Sequence, residues 1–126
     1  MKAFLIDPEV RTIKETDFDG DVGSIPHLLG CKDIRFEQWP IGGSHTIGTT
    51  RATRVYSDAK AVGNSAMHGF QVPNTCGIIS HGRCLQVTYN TWANAFVDCD
   101  ENTETLKRKY RIYEPEKGID GKQQWK

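Results

Sequence analysis

Hydrophobic and polar positions along this chain change their period often and over short distances, as expected for many strands and little helix. Ala3-Phe4-Leu5-Ile6 is apolar on both sides of a pleat, which suits a strand inside a sheet. Asp7-Pro8-Glu9 supplies Asp and Pro in the order a tight turn favours. The run Val10 to Phe18 then sets Val10, Thr12, Thr16 and Phe18 on one face, with Lys14 the exception, and Arg11, Glu15 and Asp17 on the other. The pattern predicts a hairpin over residues 2–18. After Asp19-Gly20-Asp21, Ser24 is placed to cap a short helix with Pro26 in its first turn, Leu28 and Leu29 packing inward, and Gly30 as the stop. Asp33 to Trp39 returns as a strand with Ile34, Phe36 and Gln38 on one side.

Pro40 to Thr50 is rich in Gly, Ser and Thr and reads as a loop, followed by an alternating strand at Arg51 to Ser57 and a connection from Ala59 to Gly69. Four strand-like runs then succeed one another between turn residues: Phe70 to Pro73, Gly77 to Ser80, Arg83 to Tyr89 and Trp92 to Asp98. That spacing predicts a meander. Leu106 to Tyr113 alternates Lys107, Lys109 and Arg111 against Leu106, Tyr110 and Ile112, which predicts one more strand, and residues 114–126 read as a loose tail. The expected fold is a single α+β domain over residues 1–113, mostly antiparallel sheet of about seven or eight strands with one short N-terminal helix.

Charge changes this picture in one place. Acidic and basic side chains balance at 16 each, so no overall field recruits nucleic acid or anionic membrane. A quarter of the residues are charged, yet the 37 residues from Ala61 to Val97 carry only Arg83. That stretch holds eleven Ser, Thr, Asn and Gln residues together with Met67, Phe70, Tyr89, Trp92 and Phe96, the composition of a half-buried sheet or of a binding surface. No apolar run approaches the roughly 20 residues that span a bilayer, and no basic-then-apolar leader opens the chain, so a cytoplasmic protein is expected. Cys31, Cys76, Cys84 and Cys99 are accordingly expected as reduced, mostly buried thiols.

Lys2-Ala3-Phe4-Leu5-Ile6-Asp7-Pro8, then Arg11-Thr12-Ile13, the acidic Asp17-Phe18-Asp19-Gly20-Asp21 and a short helix before Cys31, together resemble a group of small phage and prophage proteins that open with an Ile-Asp-Pro β-hairpin. Gly69-Phe70 through Pro73 to Gly77-Ile78-Ile79 and Gly82 is a second, fainter similarity. The resemblance implies a phage-related origin. It assigns no activity and no catalytic residue.

Several constellations bear on chemistry. Gly43-Ser44-His45-Thr46-Ile47-Gly48-Thr49-Thr50 has the spacing of a phosphate loop, but Thr49 stands where lysine is required and the strand-like Arg51 to Tyr56 follows where a helix should. It reads as a surface loop beside which Arg51 or Arg54 meets an anion at most. Cys76, His81 and Cys84, with His68 and Cys99, are residue types that zinc accepts, but only His81 and Cys84 have knuckle spacing, so the reading is a turn histidine beside core cysteines and no metal. Asp17-x-Asp19-Gly20-Asp21 lacks the calcium loop's twelfth-position glutamate, Leu28 standing there. The Lys107, Lys109 and Arg111 face, close to Tyr110 and Tyr113, suits either a nucleic-acid backbone or the protection of an edge strand, and the latter is favoured.

No nucleophile stands in a recognisable catalytic turn. The expectation is a non-enzymatic, phage-derived protein without cofactor that occupies a host macromolecule, with components of host defence among its candidate targets. Phe70, Tyr89 and Trp92 are the expected anchors, and His81 and Arg83 the polar contacts. The alternative is a small enzyme or ligand-sequestering protein with a pocket around His81, Arg83 and Cys84.

Overall fold

The computed structural model describes residues 1–41, 51–72, 77–119 and 125–126. Ten strands and two helices follow in the order β1 (Lys2–Asp7), β2 (Thr12–Asp17), α1 (Ile25–Leu29), β3 (Ile34–Pro40), β4 (Arg51–Asp58), β5 (Gly69–Gln71), β6 (Ile79–His81), β7 (Cys84–Asn90), β8 (Ala95–Val97), α2 (Thr103–Lys109), β9 (Arg111–Glu114) and β10 (Gly118–Ile119). The fold is α+β and mostly antiparallel sheet, with more strands than expected and a second helix. The strands form two sheets, one ordered β2-β1-β7-β4-β3 with β8 also on β7, the other β10-β9-β5-β6.

The hairpin at residues 2–18 forms with Ala3 opposite Thr16 and Ile6 opposite Ile13. The Asp7 carboxylate accepts from the Glu9 and Val10 backbone amides at 3.1 and 3.3 Å, holding the turn that Pro8 begins. Val10, expected on the face of Thr12, Thr16 and Phe18, is exposed in the turn, which runs to Arg11 (φ 61°), while Phe18 on that face and Ile13 on the other are both buried. Ser24 does not cap α1. Its hydroxyl instead donates to Asp19 at 2.9 Å, while Asp21 caps the 3₁₀ turn Val22–Ser24 through the Gly23 amide. Ile25 and Leu29 are the buried helix positions, and Gly30, at φ 67°, ends the helix in the left-handed conformation.

The meander expected from residue 70 onward is not formed. β5 and β6 pair with each other in the second sheet, whereas β7 pairs with β1 and β4, and β8 pairs with β7. Gly82, at φ 79°, lies between β6 and β7, where the chain passes from one sheet to the other. The Leu106 to Tyr113 strand is also replaced, by α2 and the start of β9. Asn102 accepts from the Thr105 amide at 2.9 Å to cap α2, Glu104 lies in its first turn, and Lys107, Arg108 and Lys109 lie in its last, each where the helix dipole favours that charge. Leu106 and Tyr110 are both fully buried, and a separation of four fits a helix face as well as a strand face. In the described part of the tail, β10 pairs with β9, the Trp125 indole donates to the Tyr110 carbonyl at 2.9 Å, and the Lys126 amide donates to the Arg11 carbonyl at 2.8 Å.

Both faces of the larger sheet are covered in part. Phe4, Ile6, Val55 and Cys84 pack on one side with Phe70, Val72, Leu106 and Tyr110 from the second sheet and α2, while Ala3, Tyr56, Leu85 and Val87 pack on the other beneath Phe18, Ile25 and Leu29. β7 is therefore buried on both faces, and a charge there would be costly to desolvate. The uncharged stretch from Ala61 to Val97 has its physical reason at that strand. Gln86, itself buried, donates to Glu101 at 3.1 Å and accepts from the Tyr110 hydroxyl, and Lys109 reaches Glu101 at 3.2 Å, so the polar atoms between sheet and helix are bonded. No helix is long and apolar enough to cross a membrane among the described residues.

Candidate binding face

The helix α1 spans only Ile25–Leu29 and covers one end of its side of the larger sheet. Beyond it, strand register brings a second group together. Arg54 on β4 lies opposite Gln38 on β3 and Val87 on β7, with Tyr56 two residues further along, so Arg54, Gln38 and Tyr56 point to the same side. Phe36 and Tyr89 come from the strands flanking β4. The Arg54 guanidinium carbon stands 4.2 Å from the Phe36 ring centre and 4.0 Å from that of Tyr89. Its Nε and Nη2 donate to Gln38 Oε1 at 2.9 and 2.7 Å, and its Nη1 donates to the Tyr56 hydroxyl at 3.0 Å.

These contacts hold a planar cation in one orientation. Stacking on aromatic rings contributes roughly 0.5 to 2 kcal/mol per contact as water is excluded, and the forked hydrogen bonds remove the rotamer freedom that arginine otherwise keeps. The rings are themselves braced: Tyr89 donates to Asn94 and packs edge-on to Phe96, which packs edge-on to Phe18 of the core. Phe36 is 49% exposed and Trp92 85% exposed. Trp92 sits at the β7 to β8 turn, where Asn90 accepts from the amides of Trp92 and Ala93 at 3.0 and 2.9 Å, so an exposed indole is presented on an ordered turn. A groove of about 490 Å³ runs alongside, lined by Asp19, Val22, Arg54, Tyr89, Asn94 and Phe96 among others.

The residues expected to act together are divided by β7. Tyr89 and Trp92 stand at its end and beyond, whereas His81 and Arg83 precede its start, roughly 20 Å away at the rise of a strand. Phe70 is fully buried and cannot serve as a surface anchor, since Gly69-Phe70-Gln71 forms an inner strand between β6 and β9. His81 is buried, with Nδ1 3.0 Å from the Met67 carbonyl and its ring edge-on to Tyr113. Cys84 is buried and its thiol donates to the Gly82 carbonyl at 3.5 Å. Burial pushes that thiol far above its ordinary range, the opposite of an activated nucleophile. The pairing of His81 with Cys84 is thus corrected: they do not bond each other.

Arg83 does border a cleft of about 420 Å³, with Asp7, Glu9, Asp58 and His68, and its Nε lies 3.4 Å from Asp7. Neither His81 nor Cys84 lines it. Lys107 and Lys109, expected beside Arg111 on one strand, sit on α2 and pair with Glu104 at 3.4 Å and Glu101 at 3.2 Å, while Arg111 opens β9. The three cations do not form a strand face. Arg51 pairs with Asp100, and the phosphate-loop spacing at residues 43–50 lies outside the described residues, as does Cys76. Among the described residues no three His, Cys, Asp or Glu side chains could hold one metal ion.

Arg54, Phe36 and Phe96 are the residues that sequence reading left out of the site. Phe36 and Gln38 were placed on one face of their strand, which is half of the signal; the other half is the register that sets Gln38 against Arg54. No family model matches the chain, and no curated protein or solved structure is significantly similar to it.

Proposed function

We propose that this chain is a non-enzymatic, phage-derived binding protein that occupies a host macromolecule, most directly a host protein, through the face centred on Arg54. The observation that carries this reading is the Arg54 guanidinium held between Phe36 and Tyr89, with the exposed Trp92 in the turn that follows the strand of Tyr89. Trp, Tyr and Arg dominate the energetics of protein interfaces, because each offers much contact area for little lost freedom. Here that freedom is already removed in the unbound chain, which lowers the cost of association. The resemblance of the N-terminal third to phage and prophage proteins supplies the setting, the cytoplasm of a bacterial host, with host-defence components as candidate targets. Affinity capture from such a host tests it. Wild-type protein retains a specific partner, and Arg54→Ala and Trp92→Ala, each still folded by circular dichroism, release it; a partner retained equally by both variants overturns the assignment.

A second reading rests on the cleft beside Arg83. One cation facing Asp7, Glu9 and Asp58 in a small-molecule-sized volume suits a ligand carrying both an amine and an anionic group. Mass spectrometry of small molecules released from freshly purified protein decides between the two, since a stoichiometric ligand lost in Arg83→Ala favours the cleft.

A further inference from the structure

β3 is the end strand of the larger sheet opposite β2, and among the described residues no strand pairs with its outer edge. The direction of its backbone groups follows from its two ends. The Asp33 carbonyl accepts from the Ala59 amide at 2.9 Å, and the Ile41 amide donates to the Arg51 carbonyl at 3.0 Å. Odd-numbered residues therefore bond to β4, and Ile34, Phe36 and Gln38 turn their amides and carbonyls outward. An edge of this kind is a template for another strand.

Two side chains on that edge are incomplete within the chain. Glu37, at the middle of β3, has a buried carboxylate oxygen, Oε2, with no hydrogen-bond partner among the described residues. Arg35, two residues away on the same face, is exposed and makes no ion pair among the described residues. A buried carboxylate oxygen without a donor is unfavourable, yet Arg35 of the same strand leaves it unbonded.

We infer that the chain forms a two-fold homodimer by antiparallel pairing of β3 with β3, centred on Phe36. Strand geometry selects this register. Pairing the outward groups about Phe36 puts Phe36 opposite Phe36 and Ile34 opposite Gln38, each pair exchanging two main-chain hydrogen bonds. Arg35 of one copy then lies opposite Glu37 of the other at the narrow, non-hydrogen-bonded positions, twice by symmetry. Both incomplete groups are satisfied together. Centring the axis one residue along, on Glu37, sets two carboxylates against each other, an arrangement that opposes pairing. The half-exposed Phe36 rings meet across the axis, and the larger sheet becomes continuous through both copies. Phe36 belongs both to this strand and to the Arg54 face, so pairing of β3 covers part of that face and leaves Tyr89 and Trp92, at and beyond the end of β7, outside the new strand pair.

Sedimentation equilibrium over roughly 1 to 300 µM, the range in which a short strand interface dissociates, tests this. The mass is expected to rise from 14.2 kDa toward twice that value. Arg35→Glu opposes like charges at both positions and is expected to raise the dissociation constant about tenfold or more; because Arg35 is exposed and makes no ion pair among the described residues, the monomer fold is kept. An equimolar mixture of Arg35→Glu with Glu37→Arg is expected to recover a heterodimer in which every acid again faces a base. Ile34→Pro provides an arm that does not involve charge, since it deletes an outward amide and leaves the β4 ladder intact. A wild-type chain that stays monomeric throughout the range, or a dimer unaffected by both Arg35→Glu and Ile34→Pro, overturns the inference.

Discussion

Phe70 and Trp92 belong to the same uncharged stretch, but their surroundings assign them opposite roles. Phe70 is fully buried against Tyr110 at a ring separation of 4.9 Å, so Phe70→Ala leaves a cavity between the two sheets and is expected to cost about 3 to 5 kcal/mol. Trp92 is 85% exposed, and Trp92→Ala should fall within about 0.5 kcal/mol of wild type. Urea unfolding of the two variants measures the contrast, and a large loss from Trp92→Ala would show that the indole supports the fold instead of awaiting a partner. The cysteines separate in the same way. Cys31 is partly exposed, whereas Cys84 and Cys99 are buried; desolvation raises all three thiols, and it is exposure that sets Cys31 apart. Iodoacetamide at neutral pH is therefore expected to label Cys31 in the native protein and to reach Cys84 and Cys99 only as it unfolds, with peptide mapping as the readout.

At the scale of elements, α2 is the clearest case of local signals deciding structure. Its seven residues are too few to hold a helix by propensity alone, so the cap and the buried Leu106 are what retain it. Asn102→Ala is expected to lower stability by about 1 kcal/mol, measured by chemical denaturation, and Asn102→Ser to keep most of it. The cap was present in the sequence, but the alternation of Lys107, Lys109 and Arg111 matched a strand equally well. Burial of Leu106 and Tyr110 settles the choice, and burial depends on the rest of the chain. The N-terminal hairpin was legible because Asp7 and Pro8 build its turn from adjacent residues. The division of the later strands between two sheets was not, because β7 takes its neighbours from Leu5 and Val55, far away in the chain. The candidate site suffered for the same reason: Arg54 acquires Phe36 and Tyr89 only through pairings on both sides of β4.

Across the whole molecule, the two sheets meet at a layer that is apolar except for a few bonded groups, and Tyr110 is the most consequential of them. It is fully buried, its hydroxyl donates to Gln86, and desolvation raises its ionisation well above the ordinary tyrosine range, with the Glu101 charge adding to the shift. Below about pH 10 the phenol is protonated both folded and unfolded, and its titration contributes no slope. Above that value the unfolded chain releases the proton while the fold retains it, so the native state binds more protons and stability falls as pH rises, by up to about 1.4 kcal/mol per unit for this one group. Cys84 acts in the same direction from about pH 8.5 upward, because its thiol is likewise held neutral by burial. Tyr110→Phe separates the two. It should lower stability at neutral pH by roughly 1 to 3 kcal/mol, since Gln86 loses its donor, and yet show a shallower decline above pH 10 than wild type. Urea midpoints between pH 7 and 11 measure both effects, and equal slopes above pH 10 would mean that the Tyr110 hydroxyl is open to solvent and that the layer between the sheets is not closed there.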